Sequence, residues 1–214
     1  MGRIIDRRRA YGGKKLPYDA EIEYLQSSGT QWIDTGIAAK TPIRAIYEWI
    51  INNDGTVVGS TNNNVNLSFT YQYARATHYI YGSSDNKVPV TTTYQSAKYK
   101  IDINLKRGEQ IATIGNVTKT SNFDFDVDTG GTFRILYRVR GKIFYLQLYS
   151  NDTLVFDAIP VRKGDTGYMY DKISGQLFGN SGTGDFILGA DKVTGGGKHL
   201  VITLMPYFGE RRAA

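Results

Sequence analysis

"EYLQSSGTQWIDTG", residues 23–36, is the stretch on which the interpretation of the fold depends. It combines small hydroxyl residues, Gly29, Trp32 and an Asp-Thr-Gly sequence. Such a combination is compatible either with an active site or with a turn in a structural scaffold. Trp32 and Ile33 are apolar side chains that can be buried beside a polar turn of Ser and Thr. This favours the scaffold, and function is then expected at the two ends of the chain.

Several downstream runs alternate between apolar and polar residues, which is typical of half-buried strands. The alternating apolar positions are Tyr99, Ile101, Ile103 and Leu105 in one run, and Phe133, Ile135, Tyr137 and Val139 in another, with Arg134 and Arg138 on the opposite face. Residues 43–51, "IRAIYEWII", have apolar spacing that fits either a helix or a strand, and their β-branched and aromatic residues favour a strand.

Short turn sequences separate these runs. Arg140-Gly141 leads into residues 142–149 and predicts a two-residue hairpin loop. Asn151-Asp152 predicts the next turn, so this region is expected to form an antiparallel meander. Many short strands without alternating helices indicate an all-β fold, an antiparallel β-sandwich of the jelly-roll type.

The net charge of +6 over 214 residues is concentrated at the ends of the chain. Residues 1–15 carry a net charge of +5 and residues 195–214 one of +2, which leaves −1 for residues 16–194. A neutral body with six cations at its N-terminal end could contact few phosphates, so nucleic acid is not an expected partner. No stretch approaches the roughly 18 apolar residues of a membrane span, and no membrane partner is expected.

Metal and cofactor chemistry have little support in the sequence. The chain has no Cys and only two His, which excludes a thiolate zinc site and a histidine-built centre. The run "NFDFDVDTGG" places Asp124, Asp126 and Asp128 on one face if it is extended. Paired carboxylates suggest a glycoside hydrolase or a calcium site, but a solvated strand edge is the favoured explanation. No cofactor is expected, and calcium stays open without assigned ligands.

Aromatic residues form same-face pairs, which could stack on sugar rings or fill the core. Core packing is favoured, but Trp49, Tyr79 and Tyr81 are retained as candidate carbohydrate-binding residues.

The opening stretch and residues 157–189, "DAIPVRKGDTGYMYDKISGQLFGNSGTGDFILG", together resemble the concanavalin A-like, laminin-G-type jelly-roll domain of gut Bacteroidetes proteins and their phages. The resemblance covers about residues 20–190. It implies that the first block is an early strand with its turn and that the last block closes the sandwich with a hairpin. Relatives include lectins and glycosidases, but this chain lacks an alternating Glu-Asp-Glu strand. An enzyme is therefore not expected, and sugar binding remains open.

Two extended arms flank the predicted sandwich of residues 17–190. Residues 1–16 form a basic N-terminal arm, and residues 191–214 form a C-terminal arm with one β-prone strand. The leader resembles that of versions borne by crAss-like phages. The residues expected to bind partners through the arms are Arg3, Arg7, Arg8, Arg9, Leu200, Ile202, Leu204, Tyr207 and Phe208.

The resulting hypothesis is a structural protein of a tailed-phage virion, in the head or a head fibre, assembled in the host cytoplasm. It would bind capsid or fibre subunits and form a homo-oligomer. The alternative is a lectin-like module that adheres to surface glycans, and the third candidate is a glycoside hydrolase.

Overall fold

The computed structural model describes residues 16–62, 65–72, 77–81, 87–92, 97–106, 109–122 and 126–192. These residues form strands and turns, and none of them lies in a helix. The strands are β1 (Ala20–Glu21), β2 (Leu25–Ser28), β3 (Ile33–Lys40), β4 (Ile43–Ile51), β5 (Gly55–Asn62), β6 (Val65–Gln72), β7 (Thr77–Tyr81), β8 (Lys87–Thr92), β9 (Tyr99–Lys106), β10 (Glu109–Ile114), β11 (Val117–Ser121), β12 (Asp128–Tyr137), β13 (Arg140–Ser150), β14 (Thr153–Lys163), β15 (Thr166–Asp171), β16 (Leu177–Phe178) and β17 (Ile187–Leu188).

The strands form two antiparallel sheets that face each other across one core. The larger sheet has the order β11-β10-β9-β4-β13-β14-β15-β16, with β1 paired to β14, β2 paired to β13, and β17 paired to β2. The smaller sheet has the order β3-β12-β5-β6-β7-β8. This architecture confirms the predicted all-β, antiparallel sandwich.

Strict alternation along β4 shows how the sequence directs side chains into the core. Ile43, Ala45, Tyr47, Trp49 and Ile51 are all buried, while the residues between them are half-buried on the outer face. The stretch that was ambiguous between helix and strand is therefore a central strand. A period of two fits because a strand points successive side chains to opposite faces.

The predicted hairpin at Arg140-Gly141 is wrong. β12 pairs with β3 and β5 in the smaller sheet, whereas β13 pairs with β4, β2 and β14 in the larger one. The chain crosses between the sheets just before this point, where Leu136 and Arg138 adopt left-handed φ values of 60° and 57°. Gly141 lies inside β13, where a Cβ would overlap the carbonyl oxygen of Ile50. The glycine therefore permits close backbone approach instead of a turn.

The meander that follows is confirmed from β13 to β16. β13 and β14 are joined by Asn151 and Asp152, whose φ values of 49° and 59° are those of a tight hairpin turn. β14 pairs with β15, and β15 pairs with β16. The hairpin implied by the family resemblance is the β15–β16 pair.

The two sequence blocks that carry the resemblance meet in space and close the sandwich. Backbone N–H groups of Ser181 and Thr183 donate to the carbonyls of Trp32 (2.7 Å) and Thr30 (3.2 Å). The Asn180 side chain accepts from the Trp32 N–H at 3.1 Å. The opening stretch therefore acts as scaffold, as the sequence predicts.

The body continues for two residues into the predicted C-terminal arm. Asp191 forms an isolated bridge with Ile22, and its carboxylate accepts two hydrogen bonds from Arg162 at 2.7 and 2.6 Å. The N–H of Lys192 donates to the carbonyl of Glu21 at 2.8 Å. Both residues are therefore bonded to the sandwich, and the arms beyond them lie outside the described residues.

Asp171 organises the hairpin that follows β15. The residue is 2% exposed, and its carboxylate accepts from the N–H groups of Asp157 (2.8 Å), Ile173 (3.2 Å) and Ser174 (3.0 Å). Burial acts to raise the pKa of Asp171, but the hydrogen bonds from Ser174, Asp157 and Ile173 outweigh it, so the pKa lies below its ordinary value.

Replacing Gly182 by Ala should destabilise the closure. A Cβ at this position would overlap the carbonyl oxygen of Thr30 and crowd the ring of Trp32. We expect a loss of about 2 kcal/mol in the free energy of unfolding, measured by urea denaturation. Ser181→Ala is the matched control, since it changes an exposed side chain next to Gly182 in the same closure and adds no Cβ. Equal losses in the two variants would contradict the steric explanation.

Asp171→Asn should cost about 2 kcal/mol at neutral pH, because the amide presents donors where backbone N–H groups also donate. The folded pKa of Asp171 is lowered, so the stability that its carboxylate contributes is present above about pH 4 and is lost as the pH falls through the lowered pKa. The stability gap between wild type and variant should therefore narrow on acidification, as measured by urea denaturation between pH 7 and pH 2. The control is Asp165→Asn, which alters an exposed carboxylate. A gap independent of pH would refute this role.

Candidate functional site

The outer face of the larger sheet carries the polar halves of three neighbouring strands. Register places Arg44 of β4 beside Asn104 of β9 on one side and beside Tyr149 of β13 on the other. All three side chains are half-buried and face away from the core. One ring, one amide and one guanidinium thus lie in a single row across three strands.

Arg44 is held rigidly in this row. Its Nε donates to Asp102 Oδ1 at 2.8 Å and its Nη2 to Oδ2 at 2.6 Å, a bidentate ion pair. The guanidinium carbon lies 5.5 Å from the centre of the Tyr149 ring. The hydrogen bond with Asp102 is the main cause that raises the pKa of Arg44. The cation is therefore fixed in place before any ligand arrives.

A depression of about 260 Å³, the Tyr149 depression, opens at the end of this row. Its walls come from β4, from β9 and from the end of β13 with the turn that follows it. Lys106 Nζ at the end of β9 lies 3.6 Å from Oδ2 of Asp152 in that turn. The lining residues are Pro42, Ile43, Arg44, Asn104, Lys106, Tyr149, Asn151 and Asp152. They offer an aromatic ring together with an amide, cations and a carboxylate.

Further hydrogen-bonding groups continue along the same face. Tyr145 is half-buried, and its burial and the negative charges of Glu48 and Asp102 raise its pKa to about 12. Its phenol stays protonated at physiological pH and can donate a hydrogen bond. Glu48 is paired with Lys98, whose Nζ lies 2.7 Å from its carboxylate.

The acidic run proposed for catalysis does not form a catalytic pair among the described residues. Asp124 lies outside them, and Asp126 and Asp128 are exposed. Asp128 Oδ1 accepts the N–H of Gly130 at 2.8 Å, as in a turn. A glycosidase needs one protonated carboxyl held in an apolar pocket, and an exposed carboxylate lacks that environment.

In the part of the chain that the structure describes, no group of three or more His, Cys, Asp or Glu residues is placed to hold a metal ion. Within the same residues, no helix is long and apolar enough to cross a membrane.

The candidate sugar-binding residues fall in three different positions. Trp49 is 1% exposed and lies in the core next to Tyr47, with 6.5 Å between ring centres. It is therefore unavailable to a ligand at the surface, and its assignment as a binding residue is wrong. Tyr79 and Tyr81 belong to β7, but their side chains lie outside the described part of the structure.

The arm residues assigned to partner binding also lie outside the described residues, so their roles stay predictions. They are Arg3, Arg7, Arg8, Arg9, Leu200, Ile202, Leu204, Tyr207 and Phe208.

Sequence reasoning missed Arg44, Asn104 and Tyr149. Alternation in β4 and β9 marks Arg44 and Asn104 as outward-facing, and that signal was available. Alternation does not give the strand order. That order, β9-β4-β13, brings Arg44 and Asn104 together with Tyr149, which comes much later in the chain than Arg44.

The fold and this face define a two-sheet antiparallel β-sandwich protein with a polar, aromatic outer face. No protein-family model and no curated protein matches the chain. The fold is similar to that of a solved protein from Bacteroides ovatus ATCC 8483, described as a "putative carbohydrate binding protein", with a TM-score of 0.55 and 12% sequence identity. The match covers 79% of this chain and 60% of that protein. At this identity the likeness establishes the fold alone.

Proposed function

We propose that this protein binds carbohydrate and that the Tyr149 depression is the binding site. The observation that carries the proposal is the placement of the Tyr149 ring beside the fixed guanidinium of Arg44 in a solvent-facing depression. The structural neighbour, described as a putative carbohydrate binding protein, supports the same class of function.

The chemistry of the depression matches the two sides of a sugar ring. A pyranose has an apolar C–H face, which can contact the part of the Tyr149 ring that lines the depression. Its hydroxyl groups both donate and accept, so they suit the Asn104 amide, the Arg44 guanidinium and the Asp152 carboxylate. Because Arg44 is already held by Asp102, little side-chain entropy is lost when a ligand binds.

The size of the depression points to a short ligand. Its volume of about 260 Å³ is slightly below the roughly 300–1,000 Å³ of typical small-molecule sites. It therefore suits a single sugar unit. Further units of an oligosaccharide would lie along the outer face. There the half-buried side chains of Gln147 and of Tyr145, whose phenol is protonated, offer further hydrogen-bonding groups.

Tyr149→Ala should weaken glycan binding by about tenfold or more, since it removes the stacking surface. Ligands would first be identified on a glycan array and then titrated by calorimetry. Tyr149→Phe keeps the ring and should retain most of the affinity.

The matched control is Tyr170→Ala, which removes another half-buried ring from the same sheet, one that packs against Tyr18 with 4.9 Å between ring centres. Its affinity should stay within about twofold of wild type. An equal loss in Tyr149→Ala and Tyr170→Ala, or no saturable binding by the wild-type protein, would refute the proposed site.

We also propose, from the charge distribution alone, that the chain is a component of a tailed-phage virion. Residues 1–15 and 195–214 carry net charges of +5 and +2 against −1 for the rest of the chain, which suits anchoring through the ends and leaves the sandwich available for glycans. Proteomics of purified particles should detect the protein at a defined copy number. If purified particles do not contain the protein, the virion proposal is refuted, and the test of the Tyr149 depression is unaffected.

A further inference from the structure

The outer face of the smaller sheet holds an arginine packed against two adjoining aromatic rings. The guanidinium carbon of Arg134 lies 5.1 Å from the centre of the Trp32 ring and 5.0 Å from that of Tyr137. The two rings meet edge to face, with 5.5 Å between their centres. The arginine head group therefore contacts both rings, and this packing restricts its position.

This arginine lacks a counter-ion among the described residues. Its Nε is shielded from solvent and donates no hydrogen bond to them, and no carboxylate among them lies within 4.0 Å of its nitrogens. Asp34 is its cross-strand partner in β3, but Asp34 Oδ1 accepts from the Thr132 hydroxyl at 2.6 Å and from the Gly36 N–H at 3.0 Å. A ligand carboxylate would therefore supply the counter-ion that the described residues do not, through the terminal N–H groups of the guanidinium.

The same arginine lines a groove of about 480 Å³. The groove lies where the pairing of β12 with β3 is irregular between Asp128 and Arg134. Most of its lining residues have small side chains or none. They are Gly36, Ala38, Ser60, Asp128, Gly130, Gly131, Thr132 and Arg134. The groove is therefore open along the backbone, and its wall has one cationic side chain, Arg134, and one carboxylate, Asp128.

We propose that this groove binds the carboxylate of an acidic sugar unit, a uronate, with Arg134 as its counter-ion. The planar guanidinium can donate two parallel hydrogen bonds to a carboxylate. Thr132 and the free oxygen of Asp128 can hydrogen-bond to hydroxyl groups of the sugar ring. A simple organic acid has no such ring, and a neutral sugar has no carboxylate for Arg134, so each would use only some of these groups. The site lies on the smaller sheet and does not depend on the Tyr149 depression.

Calorimetric titration of the Tyr149→Ala variant, in which the proposed neutral-sugar site is removed, with oligogalacturonate and with a neutral galacto-oligosaccharide of equal length tests the proposal. Saturable binding of the acidic oligomer is expected, with little binding of the neutral one. Arg134→Gln should lower the affinity for the acidic oligomer by about tenfold or more. Arg134→Lys should keep only part of the affinity, because a lysine has the charge but not the planar guanidinium group.

Arg138→Gln is the matched control, since Arg138 also stacks on Tyr137, at 5.1 Å, but does not line the groove. It removes the same charge from the same neighbourhood, and its affinity should stay within about twofold of wild type. Ala38→Glu provides a second variant that leaves Arg134 in place. It adds a negative charge at an exposed position in the groove and should also weaken binding about tenfold.

Thermal melting of each variant checks that it is folded. If Arg134→Gln does not fold, the affinity of the Ala38→Glu variant decides the outcome. Equal losses in Arg134→Gln and Arg138→Gln would indicate diffuse electrostatic attraction and overturn the proposal. The proposal would also be overturned by unchanged affinity in Ala38→Glu, by equal binding of the neutral oligomer, or by no saturable binding of oligogalacturonate. Tyr149→Ala should leave the uronate affinity intact, so this test is independent of the test of the Tyr149 depression.

Discussion

The closure between residues 30–32 and 180–183 is the constraint on which the sandwich depends. Backbone bonds from Ser181 and Thr183 to carbonyls about 150 residues earlier join segments from opposite ends of the described fold. Closing so long a loop has an entropic cost that only many cooperating contacts offset. β17 then pairs with β2, and β2 with β13. Because β13 carries Tyr145 and Tyr149, the closure also positions the candidate binding face.

A register shift in β13 explains why that face is rich in aromatic groups. Pairing with β4 shifts between Ile143 and Tyr145, so Phe144 is an extra residue in the strand. Phe144 and Tyr145 are both half-buried, whereas strict alternation would direct one of them into the core. Lys98 Nζ lies 4.1 Å from the centre of the Phe144 ring. The bulge thus places one more ring on the outer face without disturbing the core.

Local sequence patterns were sufficient where the physical cause is local. Alternation identifies β9, β-branched and aromatic content identifies β4, and Asn151-Asp152 identifies a turn, since these signals depend only on neighbouring residues. The hairpin predicted at Arg140-Gly141 is wrong because a glycine also permits close approach of two backbones. Only the strand order distinguishes this from a turn. Trp49 stays a candidate binding residue in the sequence for a similar reason, although core packing is favoured there. An aromatic residue in a strand fits either face, and the burial of its neighbours decides which one it occupies.

The two outer faces differ in how each arginine is compensated. Arg44 and Arg134 both lie near a tyrosine ring, at 5.5 and 5.0 Å. Arg44 is neutralised by the bidentate pair with Asp102, so it can orient hydroxyl groups but gains little from a second carboxylate. Arg134 forms no ion pair within 4.0 Å among the described residues, so a ligand carboxylate would supply its counter-ion. Charge compensation, more than the shape of either sheet, is therefore the reason for proposing neutral sugars at one face and acidic sugars at the other.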